Sequence, residues 1–346
     1  MELSKIQEKI VESPEDKVVV VARAAVGKTA CLTERVRYWL RQGIDPTEIC
    51  CITFTCLAAN EMQVRLADDY KDGMFIGTIH SLAAQFLVKG GYGAKVGSAI
   101  NEEKFDLFFN YIKKAPSCVE HYSYVLVDEA QDLSYDEYSF IFEMIKPEHF
   151  FVVGDPFQNI YSSLKEASAK YMCSLLGQPN VVKYDLNENY RNKANILNYA
   201  QRALKPLRLH DNSIPMSIGG KIYESKFNIA QVVEWINSSD SYKDWAVLCY
   251  SNNDIDYIRD KLDDYGIPTL NFNQRKKTKK EIDDLMSQNK VKVLTVWGAK
   301  GLGFPNVIVF GKNWMTTSRK KEAREESARV DYVAYTRAMN TLIVCK

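Results

Sequence analysis

The chain is poor in histidine, with 4 in 346 residues, and none of them forms a pair at zinc-site spacing, so a structural zinc centre is not expected. Its 8 cysteines include no C-x-x-C pair. Most stand inside apolar strand-like runs such as Ile49 to Phe54 and read as reduced core thiols. No apolar run reaches the length that spans a bilayer. The first ten residues alternate charge with apolar side chains, unlike a signal-peptide core. The expectation is a soluble protein with no membrane partner and a cytoplasmic address. One-sided charge is also missing: 45 Lys and Arg stand against 44 Asp and Glu, and the net charge of +1 neither supports nor excludes nucleic acid. There is no internal repeat and no low-complexity tract.

What is present describes an ordinary globular chain, 46% hydrophobic and 26% charged, long enough for two domains that each bury a core. Short β-branched runs recur between longer helical patterns at Val18–Ala22, Ile49–Phe54, Met74–Thr78, Tyr124–Asp128 and Phe150–Gly154. A second series follows at Val181–Tyr184, Trp245–Tyr250, Val291–Val296, Val307–Gly311 and Thr341–Cys345. Strands alternating with helices predict two tandem α/β domains with parallel sheets flanked by helices. The boundary is expected near Leu176–Asn180, where Leu-Gly-Gln-Pro-Asn breaks a helical pattern. Ile255, Ile258 and Leu262 form one apolar stripe before a stop at Tyr265-Gly266-Ile267-Pro268. Two basic runs, Arg275–Lys280 and Arg319–Arg324, read equally as solvated faces or phosphate contacts.

In doubly covered parallel sheets, ligands bind at the carboxyl ends of strands, and the chemistry-bearing residues of this sequence stand there. Ala22-Arg23-Ala24-Ala25-Val26-Gly27-Lys28-Thr29 follows the first strand and opens a helical pattern, the context that a phosphate-binding loop requires. Backbone N–H groups at the helix start cradle phosphates, Lys28 reaches the β and γ groups of ATP, and Thr29 holds Mg²⁺. Val125-Leu126-Val127 leads into Asp128-Glu129-Ala130-Gln131-Asp132. An apolar strand ending in adjacent carboxylates supplies a Mg²⁺ ligand, Asp128, and a residue that orients or deprotonates the attacking water, Glu129.

Asp128-Glu129-Ala130-Gln131 resembles the D-E-x-Q box of superfamily 1 helicases of the UvrD/Rep/PcrA group, and further blocks occur in that family's order from Leu3 to Ala338. Leu3–Gln7 resembles the opening glutamine motif, which implies that Gln7 reads the adenine edge. Ile52-Thr53-Phe54-Thr55 and Gly77-Thr78-Ile79-His80 resemble motifs Ia and Ib, which face nucleic acid in the family, and this implies contacts from Phe54, Thr55, Thr78 and His80. Phe54 is equally an apolar strand-end packing residue, and His80 without the surrounding motif is as readily a helix-capping histidine.

Gly154-Asp155-Pro156-Phe157-Gln158-Asn159-Ile160-Tyr161 resembles motif III, implying that Gln158 senses the γ-phosphate and Tyr161 stacks on a base. Leu186–Arg191 resembles motif IV, implying that Tyr190 packs on adenine and Arg191 contacts the γ-phosphate. Thr295–Leu302, which contains Trp297 and Gly301, resembles motif V, and Val333–Ala338 resembles motif VI with Arg337 as arginine finger.

The resemblance implies two RecA-like domains, 1–177 and 178–346, with ATP between them and an ATP-driven, 3′-to-5′ single-stranded DNA translocase or helicase. RNA is not excluded. The alternative is a nucleic-acid-gated ATPase switch in a larger, nuclease-containing complex. The sequence departs from the family at several points. Arg23 and Ala25 stand where glycines are usual, Ala30 where an adenine-side arginine is usual, Ser163 and Leu164 where Trp-Arg is usual, Trp297 for a histidine and Gly303 for a glutamate. Only the short segments of about 82–122 and about 271–290 occupy the places of the family's accessory domains, which implies that duplex contacts, processivity or regulation either come from a protein partner, one that could also bring nuclease activity, or are weak.

Overall fold

The structure, a computed structural model, describes residues 3–69, 73–162, 167–272 and 279–345. Ser163 and Leu164, and residues 273–278 of the second short segment, including most of the basic run at Arg275–Lys280, lie outside the described residues. The chain divides into two compact units. Among the described residues, the first takes 3–22, 27–156 and 167–186, and the second takes 23–26, 157–162 and 187–345.

The first unit runs α1 (Lys5–Val11), β1 (Lys17–Ala22), α2 (Lys28–Arg41), β2 (Ile49–Thr53), α3 (Cys56–Arg65), β3 (Phe75–Thr78), α4 (Ile79–Lys89), α5 (Gly93–Asn101), α6 (Leu107–Lys114), β4 (Tyr124–Val127), α7 (Tyr135–Ser139), β5 (His149–Gly154), α8 (Ala169–Leu175) and β6 (Val181–Leu186). Its six strands are all parallel, in the order β3-β2-β4-β5-β1-β6. Val18 to Ala22 of β1 are all buried, as a strand covered on both faces must be. Segment 82–122 does not stand apart from this sheet. Leu82, Phe86, Val96, Phe108 and Ile112 from α4, α5 and α6 join Val19, Val125 and Val152 in one core, so these helices are the sheet's cover.

Val181–Tyr184, read from sequence as opening the second series, pairs with β1 as the edge strand of the first sheet. The chain therefore passes to its second sheet only after Leu186. The pattern at Leu176–Asn180 marks the end of α8, and sequence periodicity alone does not say which sheet receives the strand that follows.

The second unit contains β7 (Glu188–Lys193), α9 (Ala194–Ala203), β8 (Ile214–Ser217), β9 (Lys221–Ser225), α10 (Ile229–Asn237), β10 (Trp245–Cys249), α11 (Asn252–Asp263), β11 (Thr269–Leu270), α12 (Lys279–Ser287), β12 (Val291–Thr295), β13 (Phe304–Phe310), α13 (Lys321–Tyr335) and β14 (Ala338–Cys345). Six parallel strands lie in the order β11-β12-β10-β13-β14-β9, and β7 and β8 form a separate parallel pair. The stripe Ile255, Ile258 and Leu262 is buried against Val247, Val293 and Ile308, as its helical spacing predicts. β8 and β9 were not legible in the sequence, because their residues are mostly exposed and carry no apolar run. Among the described residues, no helix is long and apolar enough to cross a membrane.

Candidate functional site: strand ends of two α/β units

In the first unit, α2 begins at Lys28 and its N-cap Gly27 has φ +80°, with no side chain capping the first turn. The N–H groups of that turn thus lack the side-chain acceptor that usually satisfies them, the arrangement that binds phosphate in other proteins. Gly27 is required on two grounds. Its φ is in the left-handed region, and a Cβ there would lie 2.7 Å from Gln7 Nε2. Gln7 is itself buried and closes a capping box with Ser4, whose backbone N–H donates to Gln7 Oε1 at 2.8 Å. Arg35 anchors the turn that follows α1 by donating to the carbonyls of Val11 at 2.7 Å and Ser13 at 2.6 Å. Burial pulls its pKa down to about 10, which leaves it cationic at neutral pH.

Lys28 Nζ lies 3.1 Å from Glu129 Oε1. That contact is an ion pair without the alignment of a hydrogen bond, and the ammonium is buried. Glu129 has φ 51° and ψ 40°, a left-handed conformation in a residue with a side chain, where strain on the order of 1–3 kcal/mol is typical. Its backbone N–H donates to Asp128 Oδ1 at 2.8 Å, and its carboxylate accepts from Gln131 Nε2. Gln131 is fully buried, and its Oε1 accepts from the Asp155 N–H at 2.8 Å. A Cβ on Gly154 would lie 2.7 Å from that same oxygen, so the glycine is there to admit Gln131. Gln131 thus joins the ends of β4 and β5. Sequence reasoning quoted it without a role, although the fourth letter of the D-E-x-Q box was the available signal.

A cavity of about 190 Å³ lies on the face of α2 one turn beyond Lys28, lined by Leu3, Ala30, Thr33, Glu34, Arg37 and Arg65. Arg37 was missed by sequence reading. It is held by Asp69 at 2.6 Å and by the Arg65 carbonyl.

The residues expected at nucleic acid in this unit stand at the ends of β2 and β3. Thr55 and Thr78 are the N-caps of α3 and α4, accepting from the N–H groups of Ala58 at 3.1 Å and Ser81 at 3.2 Å. Phe54 is half-buried beside Thr55. The His80 ring meets Phe109 edge-on at 5.3 Å, with Nε2 3.9 Å from the carboxylate of Glu137.

In the second unit, Arg337 is 1% exposed and donates to Val333 O at 3.0 Å, Leu302 O at 3.2 Å, Gln158 Oε1 at 3.3 Å and Thr336 Oγ1 at 3.3 Å. Arg191 donates to Leu302 O at 3.3 Å and Gly301 O at 3.4 Å, and burial lowers its pKa from the ordinary arginine value. Both arginines therefore converge on the loop at Gly301, whose φ is +87°. A Cβ on Gly303 would lie 2.9 Å from Arg191 Nε, so the glycine found where a glutamate is usual makes room for this side chain.

Residues 157–162 are fastened within the same unit. Lys300 donates to Gln158 O at 3.2 Å and sits 5.1 Å from the centre of the Tyr161 ring, the Trp297 indole donates to Ile160 O at 3.0 Å, and Ser162 donates to Glu326 at 2.7 Å. Tyr161, expected from sequence to stack on a base, is a buried ring beside the Lys300 ammonium, and Trp297 tethers the backbone at Ile160. Tyr190 is 48% exposed, its hydroxyl donates to Glu188, and its N–H donates to Ala25 O at 3.0 Å. Ala25 has φ 60°, the left-handed conformation that the glycines usual in this loop adopt at less cost.

The model of the UvrD/REP helicase N-terminal domain matches residues 3–115 and 105–177. That of the UvrD-like helicase C-terminal domain matches residues 270–346. The chain belongs to the UvrD/REP helicase family. Among relatives of this UvrD/REP-family chain is a probable DNA helicase II homolog of Mycoplasma capricolum, 24% identical over 341 residues that cover 68% of this chain and 47% of the relative. The ATP-dependent DNA helicase PcrA of Staphylococcus aureus is 22% identical over 388 residues, covering 82% of this chain and 53% of that protein. PcrA of Staphylococcus epidermidis is 22% identical over 389 residues with the same coverage, 82% and 53%. The chain spans about half the length of these relatives. Family membership agrees with tandem RecA-like domains as the fold class expected from the sequence.

Proposed function

We propose that this chain is an ATP-driven motor that translocates on single-stranded DNA, in the 3′-to-5′ direction, with nucleotide held by residues from both units. The observation that carries the reading is the set Gly27, Lys28, Asp128 and Glu129: a helix start without a side-chain cap after β1, a buried ammonium, and two adjacent carboxylates at the end of β4, with β5 lying between these two parallel strands. This donor set fits a magnesium nucleotide. The first turn of α2 and Lys28 accept the phosphates, Thr29 and Asp128 hold Mg²⁺, and residues 22–26 line the loop. Gln7, Ala30 and Tyr190 serve the adenine side, and the 190 Å³ cavity on the face of α2 suits part of a base. ATP supplies the phosphoanhydride, and Mg²⁺ neutralises its charge.

Glu129 orients and deprotonates water, and Gln131 keeps its carboxylate in place. Arg337 and Arg191 bring positive charge to the γ-phosphate, with Gln158 reporting its presence. The carbonyls of Val333 and Leu302, with Gln158 Oε1 and Thr336 Oγ1, fix the direction of the Arg337 fork. Phe54, Thr55, Thr78, His80, Tyr161 and Trp297 form the nucleic-acid path, with Trp297 acting through its hold on Ile160.

The test is ATP turnover by the full chain with and without single-stranded DNA, followed by strand displacement from substrates with opposite overhangs. Stimulation by DNA and displacement from a 3′ overhang are expected. Turnover indifferent to DNA, at any salt, overturns the reading. Stimulation without displacement selects the switch-subunit alternative, which the absence of Trp-Arg after Tyr161 favours.

A further inference from the structure

Arg23 stands in the phosphate loop where the family usually has glycine, and its side chain does not hang free at the surface. It is 9% exposed, and its guanidinium lies 4.0 Å from the centre of the Phe157 ring. Nε is 3.6 Å from Asp211 Oδ1 and donates to Asn212 Oδ1 at 3.1 Å. Asp211 is 4% exposed and accepts from the Ser213 N–H at 2.9 Å, the Ser213 hydroxyl at 2.6 Å and the Tyr332 hydroxyl at 2.9 Å. Tyr332 in turn meets Phe157 edge-on at 6.3 Å. The circuit Arg23, Phe157, Tyr332, Asp211 closes on itself inside the second unit, drawing on four separate stretches of chain.

Three features show that the circuit fixes the loop. A buried carboxylate is retained only where partners replace its water, and Asp211 has them in Ser213, Tyr332 and Arg23. The guanidinium stacks on an aromatic face while its edge meets the acceptors, a geometry open to arginine and closed to lysine. The next two loop carbonyls are also held, Ala24 O by Asn189 Nδ2 at 3.0 Å and Ala25 O by the Tyr190 N–H at 3.0 Å. The loop is thus restrained at three consecutive residues just before Gly27 and Lys28.

We infer that Arg23 is a positioning residue: its clasp with Asp211 and Phe157 preorganises the phosphate loop for nucleotide, standing in for the adaptability that glycine gives elsewhere in the family. The inference rests on the motor reading for the identity of the ligand. A preorganised loop loses less freedom when phosphate binds, so the clasp acts on nucleotide affinity more than on the chemical step. Phe157 adjoins Gln158, and Tyr332 lies on the helix that leads to Arg337, so the same circuit touches both segments expected at the γ-phosphate.

The experiment measures binding of a fluorescent ATP analogue with Mg²⁺ to the full chain without nucleic acid, for the wild type, Arg23→Met, Asp211→Asn, the double variant and Arg23→Lys. Each single variant is expected to weaken binding about tenfold, and the double variant by less than the product of the two, because both break the Arg23–Asp211 pair. Arg23→Lys, which keeps the charge but loses the planar stack, is expected to fall between. In DNA-stimulated turnover, KM rises by a larger factor than kcat falls. The double variant leaves no lone buried charge, and its melting temperature without nucleotide verifies that the fold survives. Equal affinity in all variants, additive losses, or tighter binding by Asp211→Asn overturns the clasp alone. A wild-type chain that binds no nucleotide overturns the motor reading itself.

Discussion

The two units follow one plan, six parallel strands with helices on both faces, yet their strand ends are furnished in opposite ways. The first ends in a lysine facing a carboxylate, with Glu129 held in a left-handed conformation. The second ends in arginines that donate to backbone carbonyls and side-chain oxygens. A cation paired with an acid is neutralised until an anion competes for it, and a guanidinium whose N–H groups donate to fixed oxygens has its direction set. The comparison teaches that the first unit sets its strand-end cation by charge, and the second sets its arginines by directed hydrogen bonds.

The sharpest way to break that comparison is to remove the fixed charge. Arg337→Ala is expected to lower DNA-stimulated ATP turnover by about 10³ to 10⁵, the usual worth of an arginine finger, while Arg337→Lys recovers only a small part. Because Arg337 is buried, melting curves of both variants are measured alongside. Turnover that tracks melting temperature instead of charge geometry would reduce Arg337 to a packing residue.

On the other side of the comparison, Glu129→Gln is expected to keep nucleotide affinity and lose about 10² to 10⁴ in turnover, since the amide retains the shape but cannot take a proton. Its loss of the Lys28 ion pair makes affinity the informative control. A variant with normal turnover removes Glu129 from the chemistry.

Next in size is Gly154→Ala, whose Cβ would lie 2.6 Å from Met172 Sδ and 3.1 Å from the Gln131 backbone nitrogen. Overpacking of this kind costs about 1–3 kcal/mol, readable by urea denaturation. An unchanged midpoint would show that Gln131 has room to move.

The smallest effect concerns Lys292 in the second unit. It is fully buried on β12 and donates to Gln288 O at 2.8 Å, and burial lowers its pKa from 10.5 to about 8. The folded state holds this proton less tightly than the unfolded state, so stability rises with pH between about 8 and 10.5. The contribution is on the order of 1 kcal/mol, well short of the full shift because the ammonium keeps carbonyl partners. Lys292→Met is expected to flatten that portion of the pH–stability curve. A wild-type curve that rises no more than the variant's over this interval contradicts the assignment.

Much of the fold was readable because strands covered on both faces must carry continuous apolar runs, and β1, β2, β4, β5 and β10 do. β8 and β9 escaped because exposed residues impose no pattern. The phosphate loop, the carboxylate pair and the arginines were legible as residue types at strand ends. Most of the partners that hold them were not, since Asp211 and the carbonyls of Gly301 and Leu302 carry no local signature.

By itself, the sequence determined where strands end, which residues carry charge there, and the family to which they belong, because strand periodicity and motif spacing are local properties of the chain. Only the tertiary structure decided that β6 closes the first sheet, that residues 157–162 pack with the second unit, and that Arg23 is clasped to Asp211. Those outcomes depend on which distant groups satisfy a buried polar atom, and the 188 positions separating Arg23 from Asp211 leave no trace in either neighbourhood.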